Sequence, residues 1–143
     1  MTTVAQVLKN KNNSEITTIS PEATVLEAIT LMANKGIGAV VVVSDTQVTG
    51  ILSERDYTRK IALMQRTSNL TTVAEIMTSK VLSISSSNTV DECLALMTDR
   101  HIRHLPVIDH DKLVGLVSIG DLVKATMDDQ KVLIEQLQQY ISG

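Results

Sequence analysis

A mixed α/β (α+β) fold made of two β-α-β-β-α repeats is what this 143-residue sequence predicts, and three observations carry the prediction. Shifting the chain by 65 positions aligns Ile19–Lys60 with Ile84–Ala125 without a gap, and twelve of those 42 positions are identical. Each copy places short aliphatic runs of strand length behind an apolar stripe at helical spacing. Each copy also ends in the same junction, Gly50-Ile51-Leu52-Ser53-Glu54-Arg55-Asp56 and Gly115-Leu116-Val117-Ser118-Ile119-Gly120-Asp121. There an aliphatic strand end runs into a Ser-x-x-Asp helix start. Neither unit would bury its apolar face alone, so the two copies are expected to pack about a pseudo-twofold axis.

In chain order, a short preface comes first, Val4-Ala5-Gln6-Val7-Leu8, and repeats as Val73-Ala74-Glu75-Ile76-Met77 at an offset of 69. The first copy therefore carries four extra residues within the polar stretch Lys9–Glu15. Thr24-Val25-Leu26-Glu27 and Thr89-Val90-Asp91-Glu92 read as capping boxes, each opening a helix. Ala28, Ile29, Leu31 and Met32 form the apolar stripe of the first helix, and Cys93, Leu94, Leu96 and Met97 that of the second. Gly36 is the expected left-handed stop, with His101 at the matching place. Ala39–Val43 and Leu105–Ile108 are strands, followed by polar turns at Ser44–Gln47 and Asp109–Lys112 and by second strands to Leu52 and Val117. The Ser-x-x-Asp junctions then open helices over Glu54–Leu63 and Ile119–Met127. From Asp129 to Ile141, Leu133, Leu137 and Ile141 with Ile134 beside them mark an amphipathic helix. The expected organisation is repeat one over 1–64, a linker over 65–72, repeat two over 73–127 and a C-terminal helix over 128–143.

Composition narrows the function classes. Hydrophobic residues make up 43% and charged residues 20%, the balance of an ordinary globule. Tyr57 and Tyr140 are the only aromatics, so no stacking platform for single-stranded nucleic acid exists. A net charge of −3 leaves no basic footprint for a phosphate backbone. Cys93, the only cysteine, lies on an apolar helical face and reads as a buried, inert thiol. The N-terminus shows no signal-peptide pattern, and the longest aliphatic run, Ala39–Val43, is far short of the ~20 residues of a membrane span. A cytoplasmic protein without membrane or nucleic-acid partners is expected.

Two readings fit the Ser-x-x-Asp junctions. In one, serine caps the helix N-terminus and the acid suits the helix dipole. In the other, an ionised aspartate at a strand–helix junction holds paired hydroxyls such as those of a ribose. Metal binding finds no support: His101, His104 and His110 match no standard zinc spacing, and Cys93 lies elsewhere. No phosphate-binding glycine loop and no nucleophile elbow is present, so no catalytic residue is assigned and an enzyme is not expected.

With both repeats and both junctions in place, the chain resembles a tandem pair of cystathionine β-synthase (CBS) domains, a Bateman-type module. The resemblance runs from about Val4 to Met127 and includes His101-Ile102-Arg103-His104-Leu105-Pro106-Val107-Ile108 and Ile19-Ser20-Pro21. It implies adenosine-nucleotide sensing, with AMP, ADP, ATP, NAD or S-adenosylmethionine as regulatory ligand. It further implies composite sites in clefts between the repeats, the aspartate taking the ribose hydroxyls. The first site would gather Ser53, Arg55 and Asp56 with Leu82, Ser83, Ile102, Arg103 and His104. The second would gather Ser118 and Asp121 with Thr18, Ile19, Gly38, Ala39 and Val40. Arg55, Arg103 and His104, with Arg59 and Lys60 one turn on, favour a mononucleotide phosphate at the first site. In the second, Gly120 replaces Arg55 and Gly38-Ala39 replaces Arg103-His104, so phosphate partners are lacking and an adenosine moiety fits better.

The resulting expectation is a sensor that binds an adenine nucleotide, AMP foremost, and modulates a client protein. Its alternative is an assembly module with vestigial clefts. By the same resemblance, CBS pairs associate two by two, so a homodimer is expected.

Overall fold

The computed structural model describes residues 1–11 and 16–142. The four-residue insertion expected within Lys9–Glu15 thus falls in part, at 12–15, outside the described residues. The elements run α1 (Val4–Asn10), β1 (Thr18–Ile19), α2 (Val25–Lys35), β2 (Ala39–Ser44), β3 (Gln47–Ser53) and α3 (Glu54–Tyr57), then a π-helical turn (Thr58–Ala62). They continue as α4 (Val73–Ile76), α5 (Val90–Arg100), β4 (His104–Asp109), β5 (Lys112–Ser118) and α6 (Ile119–Ser142). The mixed α/β class and the repeated element order are as the sequence predicts.

The chain forms two compact units, and they are not the two sequence repeats. One unit joins the residues up to Lys11 to Ser83–Asp109 and the chain from Val114; the other runs from Ile16 to Leu82 and adds His110–Leu113. Each unit therefore takes its preface helix from the other repeat. In the first, Val4 and Val7 of α1 are buried with Val90, Cys93, Met97, Leu105, Val117 and Leu122. In the second, Val73 and Ile76 of α4 are buried with Val25, Met32, Val40, Val42, Leu52 and Ile61. Each such aliphatic side chain contributes roughly 1.5–3 kcal/mol on burial, so a preface with two of them is a substantial part of its unit's core.

The same backbone bonds fasten both prefaces. The N–H of Val4 donates to the Asn88 carbonyl at 2.8 Å, as that of Val73 does to the Ala23 carbonyl at 2.8 Å. Ala5 donates to Ser86 and Ala74 to Pro21, both at 2.9 Å. In return, Val90 donates to Thr2 at 3.0 Å and Val25 to Thr71 at 2.9 Å. Donors at the starts of α5 and α2 are thus satisfied by the segment that leads into the docked preface. The linker is part of this device: Thr71 is buried, and Ser68 takes a further α2 donor, the N–H of Leu26, at 2.9 Å.

Capping follows the expected chemistry with one change. α5 completes its reciprocal box, Thr89 with Glu92, whereas at α2 Thr24 accepts from the Glu27 N–H and only that half of the box is formed. Two further boxes open the prefaces, Thr3 with Gln6 and Thr72 with Glu75. Gly36 and His101 both close their helices in the left-handed region, at φ 65° and 56°.

In the second unit β1 pairs parallel with β2, and β2 pairs antiparallel with β3 in the register Val42 to Gly50 and Ala39 to Ser53. The hairpin turns on Asp45 and Thr46, both at positive φ, and the β4–β5 hairpin turns on His110 and Asp111 in the same way. The second copy of β1 shrinks to a single bridge, Ile84 with Val107. Ile84 donates to the Pro106 carbonyl at 3.0 Å and accepts from Ile108 at 2.8 Å. The next bond of that parallel ladder needs the N–H of residue 106, which proline lacks. At the matching place the first repeat has Val41, and a two-residue strand forms.

Two helices differ from expectation. Glu54–Leu63 is one α-turn followed by the π-turn: the Thr58 hydroxyl bonds the Glu54 carbonyl at 3.1 Å, and the ladder then widens, with Leu63 donating to Thr58. The segments expected as Ile119–Met127 and 128–143 are one 24-residue helix, because no glycine or proline separates them. From Asp128 onward α6 is exposed, with Leu133, Ile134 and Leu137 at 55, 54 and 52%.

The docking explains the glycine that opens each junction. A Cβ at Gly50 would lie 2.5 Å from Met77 Sδ and 3.0 Å from the Thr78 carbonyl; one at Gly115 would lie 2.7 Å from Leu8 Cδ2. Met77 and Leu8 are equivalent residues of the two prefaces, so each glycine is the floor on which a preface sits. Gly50→Ala is expected to lower unfolding stability by about 1–3 kcal/mol. Gly115→Ala should cost less, because a Leu8 side chain can rotate where the Thr78 backbone cannot. Urea unfolding of both variants measures the pair, and equal stability to wild type would remove this role for the glycines.

Candidate functional site: two capped strand–helix junctions

At the first junction β3 stops at Ser53, whose extended backbone caps α3. The Asp56 N–H donates to Ser53 Oγ at 3.2 Å, and the Ser53 N–H donates back to Asp56 Oδ2 at 3.0 Å. The Ser53 hydroxyl also lies 3.1 Å from Asp56 Oδ2. Capping is therefore realised in full. It uses one carboxylate oxygen; the other, Oδ1, accepts from the Thr78 hydroxyl at 3.3 Å. The Asp56 side chain is 15% exposed, and the Lys60 ammonium stands 3.9 Å from Oδ1.

Thr78 was not visible as a site residue, since the preface match ends at Met77. It arrives because Ile51 and Thr78 exchange both backbone bonds, at 3.0 and 2.9 Å, which lays the chain after α4 along β3. Lys60 differs from its expected role. It donates to the Ile76 carbonyl at 2.9 Å, so it ties the π-turn to α4 rather than pointing to a phosphate. Arg55 and Arg59 remain on the exposed side of the helix start.

The second junction repeats the cap: Ser118 N–H to Asp121 Oδ2 at 2.9 Å, Asp121 N–H to Ser118 Oγ at 3.1 Å. Its surroundings differ. Lys11, the residue that ends α1, donates to Asp121 Oδ2 at 3.0 Å and to the Leu116 carbonyl at 2.9 Å. Burial pushes the Asp121 carboxyl up, but the Ser118 N–H, the Lys11 ammonium and the Ser118 hydroxyl outweigh it and hold the group below the usual carboxylate range. Lys11 and Asp121 also line a groove of about 680 Å³ together with Lys9, Lys124, Asp128 and Asp129. The expectation that this junction lacks cations is thereby corrected. Lys9 and Lys11 come from the docked preface, which the repeat alignment does not place there; Lys124 stands three residues after Asp121, opposite Arg59 in the alignment.

The strand residues assigned to the sites fall as follows. Gly38 and Ala39 stand beside the first junction of their own repeat: Glu54 N–H donates to the Gly38 carbonyl at 3.0 Å, and Ala39 pairs with Ser53. In the other unit Ile119 N–H donates to the Arg103 carbonyl at 2.9 Å, so Arg103 and His104 stand beside Ser118. The Val40 side chain belongs to the core of its unit and offers a ligand nothing. Thr18, Leu82, Ser83 and Arg103 are exposed, and Ile19, Ile102 and His104 are half-buried. Cys93 is fully buried, and burial raises its thiol pKa. Among the described residues no group of three or more His, Cys, Asp or Glu side chains is placed to hold a metal. Among them, too, no helix is long and apolar enough to cross a membrane.

The CBS domain family matches residues 4–63 and 73–128. The chain belongs to the CBS-domain family. It is 37% identical to the mitochondrial CBS domain-containing protein CBSX3 of Arabidopsis thaliana, over 99% of this chain and 73% of that protein. A solved protein with CBS domains from Burkholderia ambifaria MC40-6 superposes with a TM-score of 0.87 at 53% identity, covering 90% of this chain and 96% of that one. The CBS domain pair of protein MJ0100, solved in complex with 5′-methylthioadenosine and S-adenosyl-L-methionine, superposes at 0.76 with 25% identity, covering 87% of this chain and 99% of that one.

The Asp121 pair sets a pH dependence. A carboxyl whose folded pKa is depressed stabilises the fold above its unfolded value, about 3.9, and loses that contribution as pH falls toward the folded value. Asp121→Asn is expected to cost about 1 kcal/mol at pH 7, the scale of a partly exposed ion pair. The gap from wild type should narrow below about pH 4. Urea melts of both proteins across this range test it, and a gap independent of pH would locate the cost elsewhere.

Proposed function

We propose that this CBS pair is a cytoplasmic, non-catalytic sensor that binds an adenosine nucleotide, AMP foremost, at the Asp56 junction and thereby modulates a client protein. One observation carries the reading. The Asp56 carboxylate is pre-oriented by its cap, and its second oxygen is met by a neutral hydroxyl, Thr78, at 3.3 Å. A ribose diol donates two O–H groups and can take the place of that single long bond. Arg55, in the same helical turn, supplies a guanidinium for a phosphate, a charge-assisted bond contributing roughly 1.5–3 kcal/mol. With no Phe or Trp in the chain, adenine would sit between aliphatic side chains and take its specificity from backbone groups. The MJ0100 pair supports the adenosine part, because both of its ligands contain adenosine. AMP against ATP, NAD or S-adenosylmethionine rests on Arg55.

Calorimetric titration of ligand-stripped protein tests this. AMP is expected to bind at micromolar concentration, about −8 kcal/mol. Asp56→Ala should abolish the heat while leaving the circular dichroism and oligomeric state unchanged. Tight binding of NAD or S-adenosylmethionine instead would keep the sensor and replace its ligand, whereas silence from all four would end it.

One observation favours an assembly role beside or instead of sensing. The last turns of α6 expose Leu133, Ile134, Leu137 and Ile141. A homodimer is proposed on this ground and on the family resemblance. Sedimentation at micromolar concentration should show a dimer, and a monomer throughout would remove the proposal.

A further inference from the structure

α6 runs on to Ser142, and every residue from Asp128 onward in it is exposed. A helical segment of about that length is marginal in water unless an apolar face is packed. Such a face exists. Val123, Met127, Gln130, Ile134, Leu137 and Ile141 follow one another at alternating spacings of four and three, the heptad rhythm of a coiled-coil seam. Its five apolar members are 44, 63, 54, 52 and 83% exposed in chain order. The seam is not the side by which α6 holds its own unit. Leu122, fully buried, marks that side, and at about 3.6 residues per turn Val123 and Ile141 both stand about 100° round the helix from it.

We propose that this seam pairs with the same seam of a second copy, as a parallel, in-register, two-stranded coiled coil. The heptad positions choose the occupant. Met127, Ile134 and Ile141 take position a, and Val123, Gln130 and Leu137 take position d; isoleucine at a with leucine at d favours two parallel strands. Gln130 is the single polar residue of the seam. In register it meets its own counterpart, and the two amides can bond each other. An antiparallel pair would set it against an apolar a residue and bury an amide without a partner. Charge agrees with the parallel arrangement. Lys124 and Lys131 flank the seam at e, and Thr126, Leu133 and Tyr140 flank it at g. Parallel strands lay the e flank of one copy along the uncharged g flank of the other, whereas antiparallel strands lay lysine along lysine. The buried Leu122 anchors α6 in its unit, so pairing covers a helix that is already nucleated. The inference rests on the reading of the chain as a homodimer and gives that dimer a surface and an orientation.

Disulfide trapping of the full chain tests it, because the only native thiol, Cys93, is fully buried. Under mild oxidation Gln130→Cys and Leu137→Cys should each give a covalent dimer on a non-reducing gel. Gln136→Cys, which lies off the seam, should not. An antiparallel pair can bring at most one of the two seam positions to its own counterpart. Adding Ile134→Asp to Gln130→Cys should lower the trapped fraction about ten-fold or more, since a charge then replaces an apolar side chain in the seam. Ile134 is exposed within its own chain, so the circular dichroism of the folded units should persist. If the protein sediments as a dimer but is not trapped at both seam positions, the coil is wrong and the homodimer stands on another surface. Equal trapping at Gln136→Cys, or trapping indifferent to Ile134→Asp, would overturn the coil in the same way. A monomer in sedimentation that is trapped nowhere would remove both the coil and the homodimer.

Discussion

The exchange of prefaces is the interaction on which the rest of this structure depends. A helix start leaves backbone donors without partners, and in each unit the segment leading into a foreign preface supplies carbonyls to the repeat helix while that helix's approach supplies carbonyls to the preface. Val4 with Asn88 and Val90 with Thr2 form one such closed exchange; Val73 with Ala23 and Val25 with Thr71 form the other. Polar satisfaction and apolar burial act at the same place, because Val4, Val7, Val73 and Ile76 enter the cores beside these bonds. Gly50 and Gly115 follow from it, as do Thr78 and Lys11, the two groups that distinguish the junctions.

The same interaction makes structure and ligand chemistry share residues. Each aspartate first serves its helix, accepting the serine N–H while the serine hydroxyl accepts its own. Capping of this kind contributes about 1 kcal/mol and uses one oxygen of the carboxylate. The further groups around each carboxylate are those the preface tail delivers. At Asp56 the Thr78 hydroxyl meets the second oxygen, Oδ1, whereas at Asp121 the Lys11 ammonium joins the Ser118 N–H on the capping oxygen, Oδ2. The capping reading of Ser-x-x-Asp is realised at both junctions.

Local chemistry accounts for the departures from repeat symmetry. Pro106 lacks the N–H that would lengthen the second copy of β1, so that copy is a single bridge around Ile84. After Tyr57 the helix widens to a π-turn, and Lys60 within it donates to the Ile76 carbonyl. At α2, Glu27 leaves its half of the capping box unmade while Glu92 completes its own. None of these alters the fold, and Lys60 is held at the Ile76 carbonyl.

Periodicity, caps and the repeat determined the fold class, the element order, the buried stripes and both junctions from sequence alone, because each depends on residues within a few positions of one another. Left-handed stops at Gly36 and His101 and the caps at Ser53 and Ser118 were legible for that reason. What only the tertiary structure decided depends on pairs distant along the chain. That α1 completes the unit of the second repeat, that Gly115 faces Leu8 and that Lys11 neutralises Asp121 over 110 positions leave no local signature. Which preface completes which unit depends on chain connectivity and burial, which no window of sequence contains.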